Sequence, residues 1–91
     1  MEYYRNISLE AGLRAMERRP RGAIMVVNGD GGGLVRYHLL FNINHHPDTI
    51  VHEIRLCRGR FYVFLNGRRV GGTGGVLDHV VGYMVENYFR P

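Results

Sequence analysis

The chain has 91 residues, of which 45% are hydrophobic and 11% aromatic, so one domain with a modest core is predicted over residues 1–91. Its net charge is +4 and all twelve basic residues are arginines, whose planar guanidinium groups suit carboxylate or phosphate partners. One cysteine and a polar N-terminal stretch favour a cytoplasmic location over a disulfide-stabilised secreted domain, and no apolar run is long enough to span a membrane.

The first third of the chain predicts a helix, a strand and a loop. SLEAGLRAMERR, residues 8–19, has Ser8 as an N-cap, an acid in its first turn and arginines in its last turn, and Pro20 ends it. GAIMVVN, residues 22–28, is a nearly continuous apolar run and predicts a buried strand. GDGGG, residues 29–33, predicts a loop.

The middle of the chain predicts antiparallel strands. LVRYHLLFNI (34–43) and TIVHEIRLC (49–57) alternate with period two, and RFYVFL (60–65) is a further strand. In the first of these, one face carries Val35, Tyr37, Leu39, Phe41 and Ile43, and the other carries Leu34, Arg36, His38, Leu40 and Asn42. Turns are predicted at NHHPD, at Arg58-Gly59 and at Asn66-Gly67, the last a strong hairpin signal.

The C-terminal part predicts a flexible loop and a second helix. GGTGG, residues 71–75, is the loop, and VLDHVVGYMVENYF, residues 76–89, is the helix. Its apolar side is predicted to carry Leu77, Val80, Val81, Met84 and Tyr88. The order of helix, strands and helix predicts an α+β fold in which two helices flank a central antiparallel sheet.

Several of these strings, taken in order, resemble the Src-homology-2 (SH2) domain. EYYRNI stands where that family opens with Trp-Tyr, PRGAIMVV where it has Pro-Arg-Gly and then Phe-Leu-Val-Arg, and YHLLF where it has Tyr-x-Leu-Ser-Val. VHEI, GRFYV and LDHVVGY correspond to its later strands and second helix. The resemblance covers nearly the whole chain and implies a non-enzymatic, intracellular protein-binding module of the signalling-adaptor kind.

The same resemblance implies a degenerate phosphotyrosine pocket. The arginine that grips phosphate in the family falls on Val27, and the helper arginine falls on Leu9. The histidine and basic residue of the family's next pocket strand fall on Val51 and Glu53. Losing one partner of a buried charged pair costs about 2–5 kcal/mol in an interface, so phosphate-independent binding of a protein or extended peptide is predicted.

The predicted contact residues for that ligand are Arg36, His38, His52 and, in the 71–75 loop, Gly71, Gly72 and Thr73. An alternative is a phosphotyrosine reader whose phosphate has moved to Arg36 and His38, with the amides of GDGGG as a nest, although Asp30 opposes an anion there.

A second alternative is a basic nucleic-acid-binding domain. RFYVFLNGRR interleaves aromatic rings with arginines, as single-strand platforms do, but one set of its alternating side chains must fill the core. Metal binding and cofactors are not predicted. The adjacent pair His45 and His46, near His52 and Asp48, is a poor chelate; Cys57 has no base beside it, and a Walker loop would need a lysine.

Overall fold

The structure is a computed structural model that describes residues 1–43 and 48–89. These residues form α1 (Leu9–Met16), β1 (Ile24–Asn28), β2 (Val35–Asn42), β3 (Thr49–Cys57), β4 (Arg60–Leu65), β5 (Arg68–Gly74) and α2 (Leu77–Met84). The five strands make one antiparallel sheet in the order β1-β2-β3-β4-β5, which confirms the predicted α+β class. Within the described ranges, no helix is long and apolar enough to cross a membrane.

Helix α1 begins where it is predicted to begin but ends earlier. The Ser8 hydroxyl accepts a hydrogen bond from the Ala11 amide at 3.2 Å, as an N-cap does. At the other end, the Asn42 side-chain amide donates to the carbonyls of Met16 and Arg19 at 3.0 and 3.1 Å. Because β2 supplies these donors and Pro20 disfavours helical backbone before it, the chain leaves the helix after Met16 rather than at residue 19.

Two-residue turns set the register of the last three strands. Arg58 and Gly59 have φ of 51° and 78°, and Asn66 and Gly67 have φ of 52° and 79°. Positive φ at both central residues is the type I′ geometry, whose twist matches that of paired strands. Both hairpins are therefore confirmed. The predicted NHHPD turn is outside the described residues at positions 44–47.

The sheet buries side chains on both faces, which explains why β1 is apolar from Ile24 to Val27. On one face, Val26, Leu39, Ile54 and Val63 pack against α2. On the other face, the side chains that pack against α1 are Met25, Val27 and Leu40. The predicted alternation of β2 is confirmed, apart from a bulge between Val35 and Tyr37.

A π-helical turn, Val85–Phe89, follows α2 and changes which aromatic residue reaches the core. The sequence predicts Tyr88 on the apolar side, but this side chain is 53% exposed. The wider turn rotates the next residue inward, so Phe89 stacks on Phe41 with ring centres 4.3 Å apart. The prediction for Tyr88 is therefore wrong.

The N-terminal segment closes one edge of the sheet. The Val26 amide donates to the Tyr3 carbonyl at 2.9 Å, and the Arg5 amide donates to the Val26 carbonyl at 2.8 Å. The Asn28 amide donates to the Ile7 carbonyl at 3.0 Å, so residues 3–7 run parallel to β1. Among the described strands, β5 forms the opposite edge.

Candidate functional site

The position that aligns with the phosphate-gripping arginine lies in a packed core. Val27 is 0% exposed and faces α1, where Gly12 presses against it. A Cβ atom on Gly12 would lie 2.8 Å from Val27 Cγ1 and 3.0 Å from Leu40 Cδ1. The helix therefore sits directly on the strands, and the contact leaves no room for a phosphate between them.

The other predicted pocket residues surround this contact. Leu9 and Val51 are half-buried and pack on the same apolar cluster as Val27. Glu53 lies in the same cross-strand row as Val27 and His38. Its carboxylate accepts two hydrogen bonds from the Arg55 guanidinium, at 2.6 and 3.1 Å. The four positions are thus brought together, and they offer an anion three apolar side chains and one carboxylate that already has a partner.

His38 is a buried structural residue rather than an exposed contact. It is 5% exposed, and its Nδ1 lies 3.3 Å from the carbonyl oxygen of Asn28. The Asn28 side chain is itself held, since its amide donates to Asn6 Oδ1 at 2.8 Å. A ligand on the surface of the glycine loop would therefore meet Arg36, which is exposed, before it met His38.

The GDGGG loop and Arg36 border a hollow of about 510 Å³. The loop is tied at its base, where the Gly29 amide donates to the Arg36 carbonyl at 2.9 Å and the Asp30 amide to the Val35 carbonyl at 3.2 Å. Arg36 therefore lines this hollow, and Asp30 in the same loop is exposed.

His52 lies on the opposite face of the sheet, beneath the π-helical turn. It is 4% exposed, its Nδ1 lies 3.2 Å from the Leu39 carbonyl oxygen, and its ring meets the edge of Phe89 with centres 5.4 Å apart. Burial lowers the pKa of His52 below its usual value of 6.5, although the bond to the Leu39 carbonyl opposes this shift. The ring is therefore neutral at physiological pH.

His52 forms part of the floor of an apolar hollow of about 180 Å³. Its walls come from the sheet and the π-helical turn, namely Phe41, Ile43, Ile50, Leu65, Val70 and Phe89. Ile43 and Tyr88 stand exposed at its rim. Sequence reasoning missed this site because the hollow depends on Phe89 turning inward, and an α-helical period places Tyr88 there instead.

The GGTGG segment is strand, not loop, over residues 71–74. Gly71 has a φ of +71°, and a Cβ atom there would lie 2.5 Å from Met84 Sδ. Gly72 lies under the Tyr83 ring, and Thr73 donates its hydroxyl to the Phe61 carbonyl at 2.8 Å. The prediction of a flexible loop is therefore wrong, because these small residues let α2 approach β5, while ligand contact by Gly71, Gly72 and Thr73 stays a prediction.

The remaining residues singled out from the sequence are Cys57 and the pair His45 and His46. Cys57 is exposed at the end of β3, opposite Arg60. His45 and His46 are outside the described residues. Within residues 1–43 and 48–89, no group of three or more histidine, cysteine or acidic side chains is placed to hold a metal ion.

The predicted site residues thus border two concave surfaces: Arg36 lines a glycine-rich hollow, and His52 lines an apolar hollow beside Phe89. Comparison of the chain with models of known protein families and with curated proteins gave no match.

Proposed function

We propose that the protein is a non-enzymatic, SH2-like module that binds an extended peptide of a partner protein without depending on phosphotyrosine. The observation that carries the proposal is the packing around Val27, which is fully buried under Gly12. A phosphate dianion at that position would lose its water and gain no donor, which is strongly unfavourable. The ordered resemblance of the strings to the SH2 family supports the module class.

The apolar hollow is the proposed contact for the peptide. Its size suits one large aliphatic or aromatic side chain, and apolar pockets of this kind anchor peptides in many interfaces. Arg68 lies directly opposite Leu65 in the β4–β5 pairing and is exposed, so a cation borders the hollow. We therefore propose a peptide with an apolar anchor and acidic neighbours.

A displayed library of random 12-residue peptides, used with and without prior tyrosine-kinase treatment, tests the proposed peptide composition and the proposed independence from phosphotyrosine. The proposal expects selected peptides to carry an aliphatic or aromatic anchor beside Asp or Glu. Each selected peptide should bind equally well, within about threefold, with its tyrosine phosphorylated or not. A phosphorylation preference of a hundredfold or more would refute the proposal.

A matched pair of variants places the peptide on the molecule. Ile43→Glu puts a carboxylate at the rim of the hollow, whereas Leu34→Glu puts one on an exposed apolar residue away from it. Both side chains are exposed, so both variants should fold. The proposal expects at least tenfold weaker peptide binding for Ile43→Glu and little change for Leu34→Glu, and equal effects would remove the hollow from the interface.

A phosphotyrosine reader with a moved phosphate is the second candidate, and the hollow beside Arg36 favours it. In that case, phosphorylated peptides would dominate the selection, and Arg36→Ala would abolish the preference. Arg21→Ala, which removes an exposed arginine before β1, is the control for charge alone.

A further inference from the structure

One face of β3, β4 and β5 carries alternating arginines and aromatic rings. The residues are Arg55, Arg60, Tyr62, Phe64 and Arg69, here called the aromatic–arginine face. Arg55 lies over the Phe64 ring at 4.0 Å, and Arg69 lies over the Tyr62 ring at 5.5 Å. Each ring thus holds a guanidinium plane that comes from a neighbouring strand.

This face lies on the same side of the sheet as α1, but the helix does not cover it. Among the described residues, α1 packs chiefly on β1 and β2. Arg60 and Arg69 are exposed, and both rings are half-buried. Because both rings keep part of their surface exposed, the aromatic–arginine face is open to a partner.

The aromatic–arginine face carries more cations than anions. Its acidic neighbour, Glu53, accepts two hydrogen bonds from Arg55 and so fixes the guanidinium in place. Arg60 and Arg69 are exposed. The face therefore presents cations to a partner, which complements a polyanion.

We infer that the aromatic–arginine face binds single-stranded nucleic acid. Tyr62 and Phe64 are two residues apart on one face of β4, which places their Cα atoms about 6.6 Å apart. Bases of a splayed single strand stack on aromatic rings or on guanidinium planes, and both are present here. Arg60 and Arg69, which are exposed beside the rings, supply contacts for phosphates.

Fluorescence anisotropy with a labelled 12-nucleotide oligouridylate tests the inference. We expect binding at 50 mM NaCl that weakens about sevenfold by 200 mM, because two neutralised phosphates give a slope of about 0.7 each for a single strand. Tyr62→Leu and Phe64→Leu should each weaken binding at least about fivefold, the lower bound for loss of one stacked base.

Further variants separate stacking from charge. Phe64→Tyr keeps an aromatic ring at this position and should keep the affinity for the oligouridylate. It therefore tests the role of the ring even if Phe64→Leu does not fold. Arg69→Ala should weaken binding several-fold. Arg21→Ala makes the same change of charge in the exposed segment before β1, at the sheet edge opposite β5, and should change binding less than twofold. Ile43→Glu, in the apolar hollow on the opposite face, should leave this binding unchanged, so the result is independent of the proposed peptide site.

Four outcomes would overturn the inference. The first is no binding of the oligouridylate at 50 mM NaCl, and the second is equally tight binding of a 12-base-pair duplex. The third is an equal loss of affinity in Arg69→Ala and Arg21→Ala together with no effect of Tyr62→Leu. The fourth is binding only to vesicles that contain phosphatidylserine. The last result would assign the face to an anionic membrane surface instead.

Discussion

Adding one methyl group to Gly12 is predicted to destabilise the protein, although alanine is the better helix former. Replacing a mid-helix glycine by alanine ordinarily gains about 1 kcal/mol. Here the new Cβ would lie 2.8 Å from Val27 Cγ1 and 3.0 Å from Leu40 Cδ1, well inside the optimal carbon–carbon separation of about 3.5–4.0 Å. Overpacking of this kind costs about 1–3 kcal/mol, so a net loss of up to about 2 kcal/mol is expected for Gly12→Ala.

Urea unfolding followed by circular dichroism measures this loss, and the chain offers a matched control. Gly82 lies inside α2, and nothing lies within 4 Å of the position that its Cβ would take. Gly82→Ala should therefore stabilise the protein by up to about 1 kcal/mol, the opposite sign from Gly12→Ala.

A second background tests the cause directly. Val27→Ala removes the closer of the two contacts, with Val27 Cγ1, and leaves the one with Leu40 Cδ1, so Gly12→Ala should be clearly less destabilising in that background. The coupling energy between the two sites should then exceed about 1 kcal/mol, as is typical for residues in contact. Stabilisation by Gly12→Ala in the wild-type background would show that α1 does not press on β1, and the reasoning about the lost phosphate pocket would be wrong.

Three more predictions concern other parts of the core. Burial lowers the pKa of His52, so the unfolded chain binds the proton more readily than the folded protein does. The contribution of His52 to the free energy of unfolding should therefore be complete above pH 6.5 and should fall as the pH drops below it. Urea titrations at a series of pH values should show this fall, and His52→Leu should flatten it. Gly71→Ala should lower the free energy of unfolding by at least about 1 kcal/mol, because an alanine at φ +71° is strained and its Cβ meets Met84. A midpoint of thermal unfolding unchanged from wild type would contradict this. Val27→Arg buries an unpaired charge, so it should destabilise the fold by more than about 3 kcal/mol. It should also fail to create tight binding of a phosphotyrosine peptide in a calorimetric titration. A stable variant that binds the peptide tightly would show that the alignment with the SH2 family is misplaced.

The sequence predicted the features that depend on local chemistry. The alternation of β2, the cap at Ser8 and the positive φ values at Asn66 and Gly67 follow from residues within a few positions of one another. Leu9, Val27 and Val51, which the sequence predicts to share one site, lie in one cluster between α1 and the sheet.

Features that depend on contacts distant in sequence were not predictable in the same way. Gly71 and Gly72 have a loop-like composition, and only the close approach of α2 makes them part of a strand. His38 and His52 read as polar contacts, whereas each is buried with a backbone carbonyl within reach of Nδ1. The inward turn of Phe89 needs one extra residue in a helical turn, which no local pattern marks.

The pairing of residues 3–7 with β1 has a consequence for how the protein resists polymerisation. A sheet whose rim is already occupied cannot template a further strand on that side, so any fibril must grow from β5. There, Arg68 and Arg69 follow one another, and in a parallel, in-register pairing each would face its own copy in the incoming strand. Repulsion between these like charges thus disfavours the in-register stacking of β5 strands.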